Sequence, residues 1–303
     1  MKSNSGKKSD GLNWSKWIAI LFGLLLLVLA IGTCGVYISY NDPVVREYSY
    51  ESDKIDEPVK VVVLTDLHGN QLGEGNTELL QIIEEQQADA VFMVGDFLNK
   101  YDKEHGEVIE LVDALTEIAP VYYALGNHEQ QYMKHQGEQL LQDIMEAGAE
   151  LLELSYQDIE LNGQIIRVGG MLDYAFALDG HDSTNPETMK PEVYQYLCDY
   201  QNTDLLKIML AHRPESFVLG EASETWDVDL VISGHVHGGQ VVLPYVGGLY
   251  GSDQGFLPDY VHGLHKKNKI SILISSGLGS GFTGVPRFNN PPEVVVLTLT
   301  PEK

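Results

Sequence analysis

Apolar segments that each end in polar, metal-ligating residue types restrict the fold of this chain more than any other feature. VKVVVLT (59–65), AVFMVGD (90–96) and VYYALGN (121–127) contain few polar residues, which predicts strands buried on both faces. The helical spacing of apolar residues between and after them predicts helices at 76–87, 107–118 and 138–148. Alternating strands and helices are typical of a layered α/β domain.

The chain changes character after residue 150. Strand-like segments then follow one another with little helix between them, and they include KIMLAH (207–212), DLVISGH (229–235), ISILISSG (270–277) and EVVVLTLT (293–300). ELNGQ (160–164) contains the Asn-Gly pair that is typical of a two-residue hairpin turn. We therefore predict two packed sheets with helices on their outer faces, in one domain that spans 58–303.

The segment WIAILFGLLLLVLAIGTCGVYISY (17–40) carries no charged residue. At about 1.5 Å per residue it is long enough to cross a hydrocarbon core of about 30 Å. We predict one N-terminal transmembrane helix, with 1–16 as a basic tail and 41–57 as a stalk or linker to the domain. A buried core helix is the alternative, but the segment stands alone at the N-terminus ahead of a polar stretch.

The residues that flank this segment predict its orientation. One aspartate and four lysines precede it, namely Lys2, Lys7, Lys8 and Lys16, and an acidic stretch follows it. The positive-inside rule then predicts a single-pass protein of the cell membrane with a cytoplasmic N-terminus and an extracytoplasmic domain. No small-x-small cleavage site follows the segment, so we favour an uncleaved anchor, with lipidation of Cys34 as the alternative. Because Cys34 lies in the segment and Cys198 in the domain, we expect no disulfide framework.

The charge of the chain limits its partners. The formal net charge of the chain is −25, and the four lysines of the N-terminal tail lie outside the predicted domain, so they do not offset its acidic charge. Such a surface has no broad basic footprint, so we expect no nucleic-acid binding. A substrate that carries phosphate needs local positive charge, and a bound metal ion is one way to supply it.

Polar side chains follow five of the predicted strands at the points where these strands end. They are Asp66 and His68, Asp96, Asn127 with His128 and Glu129, His212, and finally His235 and His237. Carboxylates, imidazoles and one amide, with no thiolate, suit Mn, Fe or Zn. With His128 set aside, seven candidate ligands remain, which is too many for one tetrahedral ion but fits two ions that share a carboxylate. Each motif alone is also typical of a turn or a helix cap, whereas the ordered set favours a metal site at the carboxyl ends of the strands.

In their order along the chain, D-x-H, G-D, G-N-H-E, a lone histidine and G-H-x-H resemble the motifs of the calcineurin-like metallophosphoesterase family. The resemblance covers about 58–300. The GHVHGGQ context and the C-terminal SSGLGSGFTGVPRFNNPPEVVVLTL are similar to the membrane-associated bacterial branch of the YaeI/YkuE type. The resemblance implies a four-layer α/β/β/α sandwich, which agrees with the two packed, mixed sheets flanked by helices expected above.

The resemblance also implies a role for each motif residue. Asp66, His68 and His237 would bind the first metal, Asp96 would bridge both metals, and Asn127, His212 and His235 would bind the second. His128 would stabilise the transition state or protonate the leaving oxygen, with Glu129 holding its ring. The implied reaction is hydrolysis of a phosphomonoester or phosphodiester by a hydroxide that bridges two metal ions, with manganese expected and iron or zinc as alternatives.

Three further residues are candidates for substrate contact. Arg287 lies in the motif that resembles the family's C-terminal signature, Arg213 follows His212, and Asp173 lies in a polar and aromatic stretch at 172–187. For either arginine, the alternative role is an ion pair. The stretch 172–187 is either a lid or specificity loop near the strand ends or a surface loop without such a role. The leading hypothesis is a membrane-anchored phosphoesterase. Its substrate candidates are lipid-linked or cell-envelope phosphodiesters, nucleotides and generic phosphomonoesters, and the anchor favours a substrate at or near the membrane. The other hypothesis is a catalytically silent ectodomain that binds metal and acts as a binding or scaffold module.

Overall fold

The computed structural model describes residues 14–171, 189–219, 222–281 and 284–302. The predicted loop 172–187, with Asp173, and three of the N-terminal lysines lie outside the described residues. The helices are α1 (Trp14–Asn41), α2 (Thr77–Gln86), α3 (Gly106–Thr116), α4 (Asn127–Gln136), α5 (Gln139–Glu146), α6 (Pro191–Tyr200), α7 (Glu215–Val218) and α8 (Ala222–Thr225). Two single turns of 3₁₀ helix lie at Glu74–Asn76 and His237–Gly239.

Sixteen strands are present in the described part of the chain. They are β1 (Val44–Ser52), β2 (Val59–Leu64), β3 (Ala90–Val94), β4 (Val121–Ala124), β5 (Glu150–Leu151), β6 (Tyr156–Leu161), β7 (Gln164–Met171), β8 (Leu206–Ala211), β9 (Leu230–Ser233), β10 (Val242–Leu243), β11 (Gly247–Gly248), β12 (Tyr250–Gly251), β13 (Gly255–Phe256), β14 (Gly263–Lys267), β15 (Ile270–Ile274) and β16 (Glu293–Pro301).

The first sheet has the strand order β1-β16-β2-β3-β4-β5. Strands β2 to β5 are parallel, whereas β16 runs antiparallel to β2, and β1 runs parallel to β16. The start of β1, where α1 arrives, therefore lies at the same edge of the sheet as the carboxyl ends of β2, β3 and β4.

The second sheet has the order β14-β15-β9-β8-β7-β6. Its four central strands are parallel, and β6 and β14 are antiparallel strands at its two edges. Strands β10 with β11, and β12 with β13, form two short antiparallel hairpins outside the sheets.

Three apolar clusters separate four layers. One lies between the first sheet and helices α2 to α5, for example Val62 and Met93 against Leu79. The second fills the space between the two sheets, and the third joins the second sheet to α6, α7 and α8. The strands nearest the centre bury both faces, which is why they read as continuous apolar runs. The prediction of two packed sheets with helices on their outer faces is confirmed.

Most predicted elements agree with the structure to within a few residues. The Asn-Gly signal is confirmed, because Leu161 pairs with Gln164 across a two-residue turn in which Asn162 and Gly163 both have positive φ. The prediction of a linker at 41–57 is wrong for Val44–Ser52, which form β1 along the edge of the first sheet. The polar composition concealed this strand, since only one face of an edge strand is covered and that face presents Tyr48 and Tyr50.

Helix α1 is the predicted apolar segment. It contains a window of mean hydropathy 2.6 with none of its residues buried, and it is long and apolar enough to cross a membrane. A buried core helix, the alternative considered above, would instead have most of these residues covered by the domain. Its last turns pack on the domain: the Ser39 hydroxyl accepts a hydrogen bond from the Asn290 amide at 3.0 Å, and the Tyr40 hydroxyl accepts one from the Arg287 amide at 3.2 Å.

Candidate metal centre

The carboxyl ends of strands from both sheets meet at one edge of the sandwich, and the ligand-type side chains converge there. Asp66 and His68 follow β2, Asp96 follows β3, and Asn127 begins α4 directly after β4. His212 follows β8, and His235 and His237 follow β9. All seven predicted ligands lie in this cluster, and six of them are buried, with His235 half-buried.

The ligand atoms form three overlapping groups in which all atoms lie within 4.8 Å of one another. The groups are Asp66, His68 and His237; His68, Asp96 and His128; and Asp96, His212 and His235. The imidazole Nε2 atoms of His68, His212 and His237 each lie 3.7 Å from one carboxylate oxygen of Asp66. Asp96 belongs to two of the groups, which is the position expected of a carboxylate that bridges two ions.

Several of these ligand atoms form no hydrogen bond in the part of the chain that the structure describes. Nε2 of His68, Oδ1 of Asn127 and Nε2 of His212 are buried and have no aligned hydrogen bond to any residue that the structure describes. Nδ1 of His212 contacts the Val94 carbonyl at 2.8 Å, so this nitrogen keeps its proton and Nε2 is the ring nitrogen that a metal ion would take. Buried polar atoms without partners are costly. Divalent metal ions would satisfy all three, so the donor set fits the metal pair.

His235 presents its other ring nitrogen. Its Nε2 lies 3.0 Å from the Ser252 hydroxyl and 3.4 Å from a carboxylate oxygen of Asp253, which leaves Nδ1 for a metal. Its main-chain amide donates to the Asp66 carboxylate at 3.0 Å. Asp253 therefore orients the His235 ring from behind, as outer partners of metal-binding histidines do.

The backbone at the cluster adopts a conformation that non-glycine residues rarely have. Asp66, His68, Asp96, His235 and His237 all have φ between 47° and 69°. Left-handed residues of this kind cost about 1–3 kcal/mol each and concentrate at functional sites. Gly234 and Gly126 allow the close approach, because a Cβ at either would strike the carboxylate of Asp66 or Asp96, respectively.

Charge and burial set the protonation of the metal-free cluster. Burial alone would raise the pKa of Asp96, but the imidazoles of His212 and His68 outweigh it and hold the pKa well below its usual range. His237 and His212 lower the pKa of Asp66 in the same way. Burial would lower the pKa of His212, but the Asp96 and Asp66 carboxylates outweigh it and raise that pKa to about 10. The carboxylates are thus ionised at neutral pH, and a cation that binds must displace the proton of His212.

Comparisons with known proteins agree with this geometry. A family model described as calcineurin-like phosphoesterase matches residues 59–239. A protein of Campylobacter jejuni named as an uncharacterized metallophosphoesterase is 30% identical over 94% of this chain and 71% of its own length. The chain belongs to the calcineurin-like phosphoesterase family. It is accordingly a phosphoric ester hydrolase by family.

More distant relatives carry other names. The phosphodiesterase YaeI of Escherichia coli is 26% identical over 80% of this chain and 82% of its own, and YkuE of Bacillus subtilis is 27% identical over 79% and 78%. Among solved structures, the phosphopantetheinyl hydrolase of Mycobacterium tuberculosis aligns with a TM-score of 0.44 at 14% identity, over 70% of this chain and 87% of that one.

His128 lies at the edge of the phosphoesterase's cluster. Its ring is 4.5 Å from that of His68, and its main-chain amide donates to Asp96 at 2.7 Å. The Lys100 amide donates to His128 Nδ1 at 3.2 Å, which places the proton of the neutral ring on Nε2. Burial lowers the pKa of His128 to about 4, so the ring is neutral at neutral pH.

Glu129 does not hold the His128 ring as expected. Its buried carboxylate instead accepts hydrogen bonds from the main-chain amides of Asp96, Phe97 and Gly126, at 2.7–2.9 Å, and from the Tyr123 hydroxyl. Burial and the nearby Asp96 carboxylate raise the pKa of Glu129. The residue therefore positions the loop that presents Asp96, since a carboxylate at the start of α4 can collect several main-chain donors.

The two arginines predicted to contact substrate face elsewhere. Arg287 is fully buried, and its guanidinium donates to the carbonyls of Ser276, Gly279, Asn290 and Pro291. Arg213 forms an ion pair with Asp253 at 2.8 Å, which is the alternative role considered for it. Arg287 is thus a clamp on the loop beside Asp66, and neither guanidinium lines the cavity. Asp173 lies outside the described residues.

A cavity of about 550 Å³ opens onto the metal-ligand cluster. Asp96, Asn127, His128, His235 and His237 form its polar wall. The rest of the lining is mostly apolar and comes from the two hairpins and their surroundings: Val236, Val241, Leu249, Tyr250, Phe256 and Val285. No prediction from the sequence covered this apolar wall. Its one signal is the recurrence of glycines among isolated aromatic residues in GGLYGSDQGF (247–256), which is typical of tight hairpins.

Proposed function

We propose that this phosphoesterase binds two divalent metal ions at the cluster and hydrolyses phosphate esters there. The convergence of buried ligand-type side chains from five strand ends, several of them with unpartnered atoms, carries this proposal. Asp66, His68 and His237 would hold one ion, Asn127, His212 and His235 the other, with Asp96 between them. Such a metal pair lowers the pKa of a bound water and neutralises the charge of phosphate oxygens.

His128 is the proposed catalytic side chain outside the ligand set. Because its Nδ1 accepts from the Lys100 amide, the neutral ring donates through Nε2. It lines the cavity beside Asp96 and Asn127, where the phosphate would lie. A donor there stabilises charge that develops on a phosphate or leaving-group oxygen. Glu129 supports the reaction through the Asp96 loop.

Hydrolysis of bis-p-nitrophenyl phosphate and p-nitrophenyl phosphate by the full chain in detergent tests the activity, with Mn²⁺, Fe²⁺ and Zn²⁺ compared and Mn²⁺ expected to serve best. Asp96→Asn should abolish turnover, and His128→Asn should lower kcat by about 10²–10⁴-fold. His135→Asn, at an exposed histidine, is the matched control and should be without effect. Wild-type rates in Asp96→Asn would refute the proposal, and a protein that binds metal without any hydrolysis would support the binding-module hypothesis.

Metal content tests the two-ion assignment separately. Elemental analysis of active wild-type protein should find about two ions per chain, whereas Asp66→Ala should retain fewer and lose activity. One ion or none in a fully active sample would refute the assignment while leaving hydrolysis itself intact.

We also propose that α1 anchors the chain in the cell membrane, with a cytoplasmic N-terminus and an extracytoplasmic domain. The length, hydropathy and exposure of α1 support this proposal, as do the lysines before it. A membrane-impermeant thiol reagent applied to intact cells should label Met145→Cys in a Cys34→Ser, Cys198→Ser background. Labelling only after lysis would reverse the orientation. A substrate at the membrane, such as a lipid-linked or cell-envelope phosphate ester, agrees with this position.

A further inference from the structure

Two hairpins beside the cavity present large apolar side chains to solvent. Tyr245 and Val246 lie in the turn between β10 and β11, and Phe256 and Leu257 lie at the end of β13. Phe256 is 84% exposed and Tyr245 is fully exposed. These four residues are called the apolar rim. Contiguous apolar patches of this kind mark interaction surfaces.

The backbone of the apolar rim is strained as well as exposed. Tyr245 has φ 66° and Leu257 has φ 54°, a conformation that costs a non-glycine residue about 1–3 kcal/mol. No burial against the described part of the chain offsets this cost, since both side chains face solvent. A partner outside the chain would offset it.

The apolar rim is connected to the end of α1. The Val242 amide donates to the Phe288 carbonyl at 3.0 Å, and the Asn289 side chain donates to the Val242 carbonyl at 3.0 Å. The ring of Phe288 in turn packs against Gly35 of α1. Gly35 lies about 9 Å along the helix from its end. The hairpin therefore lies beside the last turns of the apolar helix, which only Asp42 and Pro43 separate from β1.

We propose that the apolar rim docks on the lipid bilayer that holds α1; this proposal rests on the membrane anchoring proposed above. Aromatic and aliphatic side chains of this type partition into the boundary between lipid headgroups and acyl chains. The bilayer is favoured over a second copy of the chain, because two chains that each carry a net charge of −25 repel each other.

Docking of the apolar rim would also define the class of substrate. Phe256 belongs both to the rim and to the apolar wall of the cavity that the metal ligands also line. A hydrocarbon chain that passes this residue stays in apolar surroundings while its phosphate reaches the polar wall. The expected substrate is therefore an amphiphile in which the phosphate ester joins a headgroup to a hydrocarbon chain.

A fluorescent label tests docking without reference to activity. Val246→Cys and Ile165→Cys, each in the Cys34→Ser, Cys198→Ser full chain, are labelled with nitrobenzoxadiazole and reconstituted into phosphatidylcholine vesicles. The two positions are matched, since Val246 is 55% exposed and Ile165 is 52% exposed, but Ile165 is the second residue of β7, near the amino ends of the parallel strands and away from the cavity. We expect doxyl-labelled lipid to quench the label at 246 at least threefold more than the label at 165.

The same measurement separates the other outcomes. Equal quenching at the two positions overturns the proposal. The proposal is also overturned if the fluorescence of the label at position 246 depends on the protein-to-lipid ratio and not on the doxyl lipid. That result would favour contact with a second copy of the chain.

A kinetic comparison tests the substrate class. The variant Tyr245→Ser, Val246→Ser, Leu257→Ser changes only residues that do not line the cavity. We expect it to hydrolyse soluble bis-p-nitrophenyl phosphate at the wild-type rate and hexadecyl p-nitrophenyl phosphate in phosphatidylcholine vesicles about tenfold more slowly. An unchanged ratio of the two rates overturns the assignment. If wild type hydrolyses neither compound, the proposed function fails, whereas the label still decides whether the rim docks.

Discussion

Glu129 and Arg287 are two buried charged residues that bind the main chain beside the metal-ligand cluster, one as a hydrogen-bond acceptor and the other as a donor. Glu129 accepts hydrogen bonds from main-chain amides of the Asp96 loop, whereas Arg287 donates to main-chain carbonyls of the loop beside Asp66. Arg287 had been expected to contact substrate, and Glu129 to hold the ring of His128. The two residues differ in how directly they contact a metal ligand. Glu129 accepts a hydrogen bond from the main-chain amide of Asp96 itself. Arg287 contacts Asp66 only through Gly279, whose amide donates to the Asp66 carbonyl.

The largest effect on stability and metal affinity is expected at Glu129, because this residue contacts the Asp96 amide directly. Glu129→Gln leaves one acceptor oxygen and brings an amide group against main-chain donors, so we expect a loss of about 3–5 kcal/mol in the free energy of unfolding. Metal affinity should fall by about 10–100-fold, because Asp96 shifts. Denaturant unfolding and metal titration measure the two effects. Glu138→Gln, at an exposed glutamate, is the control. Unchanged metal affinity would mean that Glu129 does not position Asp96.

Arg287→Lys tests the other side of the comparison. A lysine keeps the charge but cannot bond several carbonyls in a plane, so we expect a loss of about 2–3 kcal/mol in the free energy of unfolding. Metal affinity should fall less than in Glu129→Gln, because the link to Asp66 is indirect. Arg46→Lys, at an exposed position, is the control. A drop in kcat with stability unchanged would instead restore the expected contact between Arg287 and substrate.

Acid should weaken the loop that Arg287 clamps. Burial alone would raise the pKa of Glu293, but His262 and Ser276 outweigh it, and the pKa lies below its usual range. Its contribution to stability is therefore complete above the unfolded pKa of about 4.3 and is lost as the pH falls through the folded pKa.

The variant Glu293→Gln isolates this contribution. At neutral pH it should cost about 1–2 kcal/mol in the free energy of unfolding, since it weakens the contacts with Ser276 and His262. The difference from wild type should narrow as the pH falls below about 4.3. A difference that stays constant from neutral to acidic pH, measured by denaturant unfolding, would contradict the assignment.

The smallest effect is expected at the contact with α1. Ser39→Ala removes the acceptor of the Asn290 amide, so we expect a loss of about 1 kcal/mol. Thr33→Ala is matched, because the Thr33 hydroxyl bonds only to carbonyls of its own helix in the described contacts. Equal effects of the two variants on thermal unfolding would show that α1 does not stabilise the clamped loop.

The sequence was informative where periodicity and order along the chain carry the signal. The buried strands and the seven ligand-type residues could be predicted, because parallel strands bring their carboxyl ends to one edge. The direction of a side chain has no such signal, so Glu129 was assigned to the ring of His128 and Arg287 to the substrate, although both side chains face the backbone. Strand β1 and the apolar rim were missed for a related reason. Whether a side chain of β1 or of the apolar rim is buried or exposed depends on which face of a short segment is covered. Residues distant in the sequence determine that covering.

The parallel pairing of β1 with β16 has a practical consequence for work with this protein. Val44 lies opposite Glu293, and Ser52 lies opposite Pro301, so the chain's last strand runs away from α1 for nine residues, about 30 Å. Pro301 thus lies at the end of the sandwich remote from the cavity. An affinity handle or a fluorescent protein fused there would leave the catalytic edge unobstructed, and immobilisation through it would orient every molecule alike on a sensor surface.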